Sequence, residues 1–338
     1  MQTKINQHYV WEHYLKAWIC NNQNEVWSSH NGKSRRRPIS RIASADYFYE
    51  LRPINEDELK FFKLFISRHP EDVQAGMGML KHVDILQTPF RVKRALATTM
   101  ILAAIKLGGY NNIPDEMLKE YEDITNNNET LSKNIVEDRH GSAEAKAVTW
   151  FDSLKKECFD FFLTDKPLKS ADDYSTNEKY QFLLFVCMQH YRTKAVRERF
   201  ATAMKTHLAY PEWQKVLADS QINKENVDID NITPHLFRAN ELDCAERLWN
   251  SQASLTLLVN NTNLKFITSD HPAIVFPDTI FYYPISPSIA IKINSQGESS
   301  TVLVEEQDVN TYNQAIFDSS YQNVFSNRKD ILEKYLIA

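Results

Sequence analysis

The apolar residues of this chain change their spacing along the sequence, and this change limits the folds that it can adopt. Between about residue 55 and residue 250 they recur at helical spacing, as in Leu59, Phe62 and Ile66. After residue 252 they alternate with polar residues, as in β-strands, and the last stretch, 308–336, is helical again. We therefore predict an α+β fold, with a mixed β-sheet built from N- and C-terminal segments and a large helical insertion.

Three regions follow from these patterns. Region 1–54 holds N-terminal strands and a loop that join the C-terminal sheet, region 55–250 is helical, and region 251–338 is β-rich with C-terminal helices. Strands are predicted at 25–28, 47–50, 254–259, 264–268, 280–283, 289–293 and 301–304. Helix 90–107 is apolar enough to be central, 126–128 reads as a loop, and 177–207 is the longest helix candidate.

Composition excludes several classes of protein. The 338 residues include only seven glycines, and neither GxGxxG nor GxxxxGK[ST] occurs, which removes the common nucleotide-binding loops. The four cysteines lie far apart, as expected of buried thiols in a reducing cytosol. The longest apolar run, 100–105, is too short to span a bilayer. We expect a soluble cytoplasmic protein that does not enter a membrane.

A basic segment stands out against the formal net charge of −5. It runs from Lys33 to Arg37, is followed by Arg41, and comes after an Asn-Gly turn at Asn31-Gly32. Such a charge run is usually a solvated loop. The alternative is a loop that contacts phosphate or RNA, because guanidinium groups pair bidentately with phosphate.

Two strings are dense in side chains that titrate, donate hydrogen bonds or stack. One runs from Gln7 to Trp18 and the other from Phe266 to Pro272. Histidine exchanges protons near neutral pH, and an aspartate in such a strand-end turn is held in place. If the sheet joins both ends of the chain, His8 and Asp270 lie at neighbouring strand ends.

These strings resemble signatures of a bacterial family, the domain of unknown function 4238 (DUF4238) family. The opening string of the family is matched by Gln7, His8, Tyr9, Val10, Tyr14 and Leu15. Its Gln-x-x-Arg-Thr helix is matched by Gln189, Arg192 and Thr193. Its Ile-Thr-Ser-Asp-x-Pro turn is matched by residues 267–272, and its Pro-x-Ser-Pro strand end by residues 284–287. Trp11 stands where proline is usual. The matches span most of the chain in the expected order, and the resemblance implies a fold rather than a reaction.

A catalytic interpretation assigns roles to three of these residues. His8 is the general acid or base, Asp270 orients it or binds a metal, and Arg192 holds an anionic phosphate oxygen. The predicted substrate-binding residues are Tyr9, Gln189, Ser269, Arg35 and Arg36. No HExxH motif or paired Cys/His spacing predicts a metal site, so a requirement for Mg²⁺ or Mn²⁺ is left open.

Each of these residues also has a structural interpretation. His8 is then a hydrogen-bonded structural histidine, Asp270 an Asx-turn former, and Arg192 a donor to strand-end carbonyls. We expect His13 and His271 at the surface. The aromatic residues of the opening string belong to the core or its rim, with base stacking as the alternative.

Two functions of different class follow. The first is an effector enzyme, a nuclease that cleaves RNA or DNA and acts as a toxin in anti-phage defence, with His8, Asp270 and Arg192 as its catalytic residues. The second is a non-catalytic binding module that recognises a phage component or partner protein through the aromatic opening string. The oligomeric state is left open.

Overall fold

The computed structural model describes residues 2–30, 32–67, 73–163, 168, 170–277 and 280–336, and of residues 73–79, 171 and 172 the backbone alone. The helices are α1 Glu12–Leu15, α2 Glu56–Ser67, α3 Val73–Leu86, α4 Thr88–Lys106, α5 Asp115–Lys155, α6 Ala171–Thr176, α7 Glu178–Tyr191, α8 Lys194–His207, α9 Pro211–Asp219, α10 Ile229–Asn250, α11 Glu306–Ser319 and α12 Lys329–Lys334. Within these described ranges, no helix combines the length and apolarity needed to cross a bilayer.

The strands are β1 Asn6–His8, β2 Glu25–His30, β3 Lys33–Pro38, β4 Ser44–Asp46, β5 Ser254–Val259, β6 Thr268–Ser269, β7 Phe281–Pro284, β8 Ile289–Asn294, β9 Ser300–Leu303 and β10 Val324–Ser326. β1 pairs with β4, and the other strands form two four-stranded sheets. The predicted α+β fold, with sheets built from N- and C-terminal strands and a large helical region between them, is confirmed.

The chain divides into two compact units. The first unit comprises Met1–Gln7, Asp46–Gly141 and Ala203–Ala239. The second unit comprises His8–Ala45, Ser142–Thr202 and Asn240–Ala338, and it contains both four-stranded sheets.

The first sheet of the second unit joins the two ends of the chain. Its order is β3-β2-β10-β6, and all three pairings are antiparallel. β10 pairs Val324 with Ser29 of β2 on one side and with Ser269 of β6 on the other. β3 is therefore an edge strand whose place depends on β2, and β2 depends in turn on β10.

The second sheet has the order β7-β8-β5-β9, in which β5 and β9 are parallel and the other pairs antiparallel. The Tyr14 hydroxyl links the two sheets. It donates to the carbonyl of Pro284 in β7 at 2.7 Å and lies 2.6 Å from the Thr268 hydroxyl of β6. Because its own proton goes to Pro284, it accepts the proton of Thr268. The Tyr14 ring is fully buried, so the opening aromatic string contributes to the core.

Two predictions about the bounds of helices are wrong. Residues 126–128 are not a loop, because α5 continues through them; the Asn128 side chain donates to the carbonyl of Ile124 one turn earlier. The stretch 177–207 is two helices, since α7 ends at Tyr191 and α8 begins at Lys194, so α5 is longer than either.

Helix α4 has the predicted bounds within two residues, but it is not central. Met100 and Ala104 pack with Ile113 in a small buried cluster. On the adjoining face, one residue further along the helix, Ile101 and Ile105 are 56% and 72% exposed. Apolar composition alone therefore misplaced this helix.

Several strand predictions also need correction. The basic segment is strand β3 rather than a loop, and residues 47–50 form a turn after the short strand β4. A strand was predicted at 264–268, but the strand in this region, β6, is limited to Thr268–Ser269. The C-terminal stretch predicted as helical contains β10 between α11 and α12.

The β2–β3 hairpin gives a prediction about its glycine. His30 pairs with Lys33, and Gly32, in the turn before Lys33, has φ +72°. Asn31, the other residue of the predicted Asn-Gly turn, lies outside the described residues. Gly32→Ala should lower the free energy of unfolding by about 1 kcal/mol, because an L side chain is strained at this φ.

The same substitution at Gly141 in α5, where a Cβ meets nothing within 4 Å, should raise the free energy of unfolding by about 0.5–1 kcal/mol. Urea unfolding of both variants measures the two changes. If both substitutions changed the free energy of unfolding in the same direction, the strained turn conformation of Gly32 would be contradicted.

Candidate functional site

Arg192 lies at the junction of α7 and α8 and is almost fully buried, with an exposed fraction of 3%. Its backbone N–H caps α7 by donating to Met188, and Thr193 then begins the turn that leads into α8. The guanidinium donates to the Glu144 carboxylate of α5 and, at 2.5 Å, to the backbone carbonyl of His8. Arg192 therefore ties three segments of the second unit together.

His8 lies beside this ion pair. Burial lowers the pKa of His8 below its ordinary value; the Glu12 carboxylate, 4.0 Å from Nε2, acts in the opposite direction, and the positive charge of Arg192 lowers it further. The imidazole is therefore neutral at pH 7, and its side chain keeps an exposed fraction of 16%. A neutral histidine can accept a proton, but Nε2 of His8 is itself buried, so the exposed part of the side chain does not include this nitrogen.

Asp270 follows β6 and is fully buried. One carboxylate oxygen accepts the N–H of Tyr321 at 2.9 Å, and the other accepts those of Gln322 and Asn323 at 2.9 and 2.8 Å. Burial raises the pKa of Asp270, while these hydrogen bonds act in the opposite direction. Asp270 therefore fixes the segment that leads into β10, a role close to the predicted turn former.

Tyr9 is also buried, and its N–H donates to the Ala43 carbonyl at 2.9 Å. Burial raises the pKa of Tyr9, and the Asp270 charge raises it further. The second unit thus brings His8 together with Arg192, whereas Asp270 acts on Tyr9. Arg192 thus contacts His8 directly, whereas the Asp270 carboxylate is bound by the backbone of residues 321–323.

Ser269 and Gln189, two of the predicted substrate-binding residues, are buried as well. The Ser269 hydroxyl accepts the N–H of His271 at 3.1 Å and donates to the His271 carbonyl at 2.9 Å, which closes a local turn. Gln189 lies one turn before Arg192 on α7. Within the described parts of the chain, its amide oxygen and nitrogen have no hydrogen-bond partner.

His271 is not at the surface, contrary to the prediction, because its exposed fraction is 3%. Its Nε2 lies 3.3 Å from Nδ1 of His190, and that nitrogen lies 2.8 Å from the Ala273 carbonyl. Burial lowers the pKa of His190 to about 4 and that of His271 to about 3. No local pattern predicts this pair, because 81 residues separate the two histidines.

Arg35 and Arg36 are on β3, at the edge of the first sheet, and both are exposed. Arg36 pairs with Trp27 of β2, and its guanidinium carbon lies 5.8 Å from the centroid of that ring. Lys329 Nζ lies 5.7 Å from the same ring. Trp27 is partly exposed, so cations and an aromatic ring share this edge.

The basic edge, defined as Lys33, Arg35, Arg36, Arg37 and Arg41, is sparsely neutralised. Arg36 Nε is 3.9 Å from the Glu25 carboxylate, and Arg37 donates to the backbone carbonyl of Arg41. Among the residues that the structure describes, no carboxylate forms an ion pair with Lys33, Arg35 or Arg41. The charge run in the sequence predicted these cations but not strand β3, which aligns four of them.

The described residues include no group of three or more His, Cys, Asp or Glu side chains placed to hold a metal ion. The family model described as protein of unknown function (DUF4238) matches residues 6–330, and the chain therefore belongs to this family. The resemblance predicted from the sequence is thus confirmed. No curated protein and no solved structure matched the chain.

The Arg192 cluster gives a prediction about stability. Arg192→Ala leaves the Glu144 carboxylate and the His8 carbonyl without their donor in a buried site, so the free energy of unfolding should fall by about 3–5 kcal/mol. Urea unfolding followed by circular dichroism measures this fall in the free energy of unfolding. The control is Lys205→Ala, which breaks an ion pair with Asp230 whose side chains are about half exposed and should cost about 1 kcal/mol or less. Equal losses would contradict the buried role of Arg192.

The histidine pair predicts that acid weakens the protein. In the unfolded chain both imidazoles take up a proton near pH 6.5, whereas in the fold burial lowers the pKa to about 4 for His190 and about 3 for His271. The unfolded chain therefore binds more protons in this window. The stabilising contribution is complete above pH 6.5 and is lost as the pH falls toward 4.

At pH 5 the loss reaches about 2 kcal/mol per histidine. Urea unfolding between pH 7.5 and pH 5, compared with that of His190→Gln, isolates the contribution of His190. The slope of unfolding free energy against pH should be smaller in the variant. Identical slopes would show that His190 does not titrate on unfolding.

Proposed function

We propose that this protein is a binding protein for nucleic acid, which it holds through the basic edge. The observation that carries the proposal is the alignment of exposed cations along β3, of which Lys33 and Arg35 form no ion pair within the described residues. Arginine and lysine bind phosphate oxygens and release counterions when they do so. Because the chain as a whole carries a charge of −5, binding has to come from such a local surface.

The strand geometry supports this use of the edge. Successive side chains point to opposite faces, so Arg35 and Arg36 reach both sides of the same strand. Lysine at an edge, and Pro38 at the end of β3, disfavour the addition of another β-strand. The main chain of this edge is therefore less suited to a partner strand than its side chains are to a charged polymer.

Trp27 supplies a second kind of contact. Its partly exposed ring lies next to Arg36 and Lys329. Proteins that bind single strands combine a positive groove with aromatic rings on which bases stack. The combination favours single-stranded nucleic acid over a duplex, whose bases are already stacked.

The burial of Arg192 and Asp270 favours binding over catalysis. Both groups are saturated by contacts within the second unit and neither is exposed by more than 3%. A catalytic group has to reach the substrate. The nuclease hypothesis, a toxin in anti-phage defence, remains a second proposal because of His8, which is neutral, partly exposed and 4.0 Å from Glu12.

A fluorescence anisotropy titration with labelled single-stranded RNA and DNA tests the proposal. Arg35→Gln/Arg36→Gln should weaken binding and make the slope of log Kobs against log salt shallower by about 1.4, since each lost phosphate contact removes about 0.7 for single strands. The matched control is Lys119→Gln/Lys215→Gln, which removes two exposed cations outside the basic edge. Its affinity and slope should equal those of the unchanged protein.

Two outcomes would overturn the proposal. The first is equal weakening in both double variants, and the second is competition by polyglutamate as strong as that by unlabelled RNA, which would identify an acidic protein as the partner. The same probes, incubated with and without Mg²⁺ or Mn²⁺ and run on a gel, test the second proposal. Cleavage that is lost in His8→Gln would establish His8 as catalytic, and cleavage unchanged in that variant would remove it.

A further inference from the structure

The first unit contains a pocket of about 440 Å³ that the proposed function does not use. Three parts of the chain line it: residues 50–53 after β4, the first turns of α4, and the middle of α5. Pockets that take small organic ligands have volumes of about 300–1,000 Å³. The pocket is therefore large enough for a small organic molecule.

Hydrogen bonds within the first unit hold the walls of this pocket in place. The side chain of Gln87, just before α4, accepts the N–H of Ile54 at 2.9 Å and donates to the Arg52 carbonyl at 3.2 Å. The N–H of Leu51 donates to the Ser132 carbonyl of α5 at 3.1 Å. The segment 50–53 is thus fixed to both helices, and a ligand meets a preformed site.

The lining combines an apolar wall with polar groups. Leu51, Pro53, Pro89 and Phe90 form the apolar wall. A flat, apolar part of a ligand packs well on the ring of Phe90 and on the prolines. The other seven lining residues are polar or charged, and they come from residues 50 and 52 and from the two helices. Polar groups in a ligand site fix the orientation of the ligand.

The charges of the lining leave a net positive potential. Lys93 is used within the protein, because its ammonium lies 2.6 Å from the Glu129 carboxylate and lowers the pKa of that carboxyl. Lys133 lies 3.9 Å from the Glu50 carboxylate, which is longer than a hydrogen bond. Arg52 contacts Asp228 at 3.3 Å through one guanidinium nitrogen and keeps further donors.

We propose that this pocket binds a small organic anion that carries a planar apolar group. The anionic group is held by Lys133 and Arg52, and the planar group packs on Phe90 and the neighbouring prolines. Aromatic carboxylates and nucleoside monophosphates share this chemistry. The site is in the first unit and the basic edge in the second, so the two proposals can fail independently.

Isothermal titration calorimetry on the full chain tests the proposal with two charged probes and two neutral analogues. AMP is compared with adenosine, and indole-3-carboxylate with indole-3-carboxamide. We expect at least one charged probe to bind with a Kd below about 1 mM and its neutral analogue to bind at least about tenfold more weakly. Binding of AMP would identify a phosphate as the anionic group of the ligand, and binding of indole-3-carboxylate would identify a carboxylate.

Three variants locate the binding. Lys133→Gln should weaken binding of the charged probe at least about tenfold, whereas Lys119→Gln, an exposed position of the same helix, should not change it. Asn128→Trp fills the pocket from α5 without changing charge and should abolish binding while the melting temperature of the free protein shows that it is folded.

Arg35→Gln/Arg36→Gln should leave binding of either probe unchanged, which separates the pocket from the basic edge. Absence of binding by both charged probes would overturn the proposal. Equal affinities for charged and neutral probes, or binding that survives Asn128→Trp, would overturn it as well.

Discussion

The first sheet depends on one buried charge, the carboxylate of Asp270. A carboxylate without partners is expensive to bury, and this one is stabilised by three backbone N–H groups from residues 321–323. The same bonds fix the segment that enters β10, so β10 can pair with β2 and β6. The basic edge on β3 is held only through β2. A single carboxylate thus supports the surface for which we propose a function, although it lies outside that surface.

Arg192 has an equivalent role among the helices of the second unit. Its guanidinium satisfies a carboxylate on α5 and a carbonyl of the opening segment, and it does so at the point where α7 ends. Desolvation offsets much of the attraction in a buried ion pair, so its net contribution to stability is small, although the removal of one partner is costly. The polar residues that look catalytic in the sequence are therefore also those that a buried, irregular chain path requires.

The sequence predicted features that depend on local spacing. β2, the bounds of α4 and the alternating strands of the second sheet follow from apolar periodicity, and the DUF4238 motifs identified the family. Features that depend on distant residues were missed. β10 has three residues, too few for a period, and it forms because β2 and β6 accept it. The charges of β3 hid its strand character, and the asparagines at 126–128 continue α5 despite their weak helix propensity.

The place of β10 in the sheet has a consequence for synthesis of the chain. Ser29 of β2 pairs with Val324 of β10, near the end of the chain. Nearly the whole polypeptide therefore has to be synthesised before β2 can pair with β10 and complete the first sheet. At about 5–20 residues per second, translation takes roughly 15–60 s to cover that distance. A two-stranded hairpin is marginally stable in water by itself, so β2 and β3 remain exposed on the ribosome through that interval. Chaperones that hold nascent chains therefore have a long period in which to engage this N-terminal hairpin.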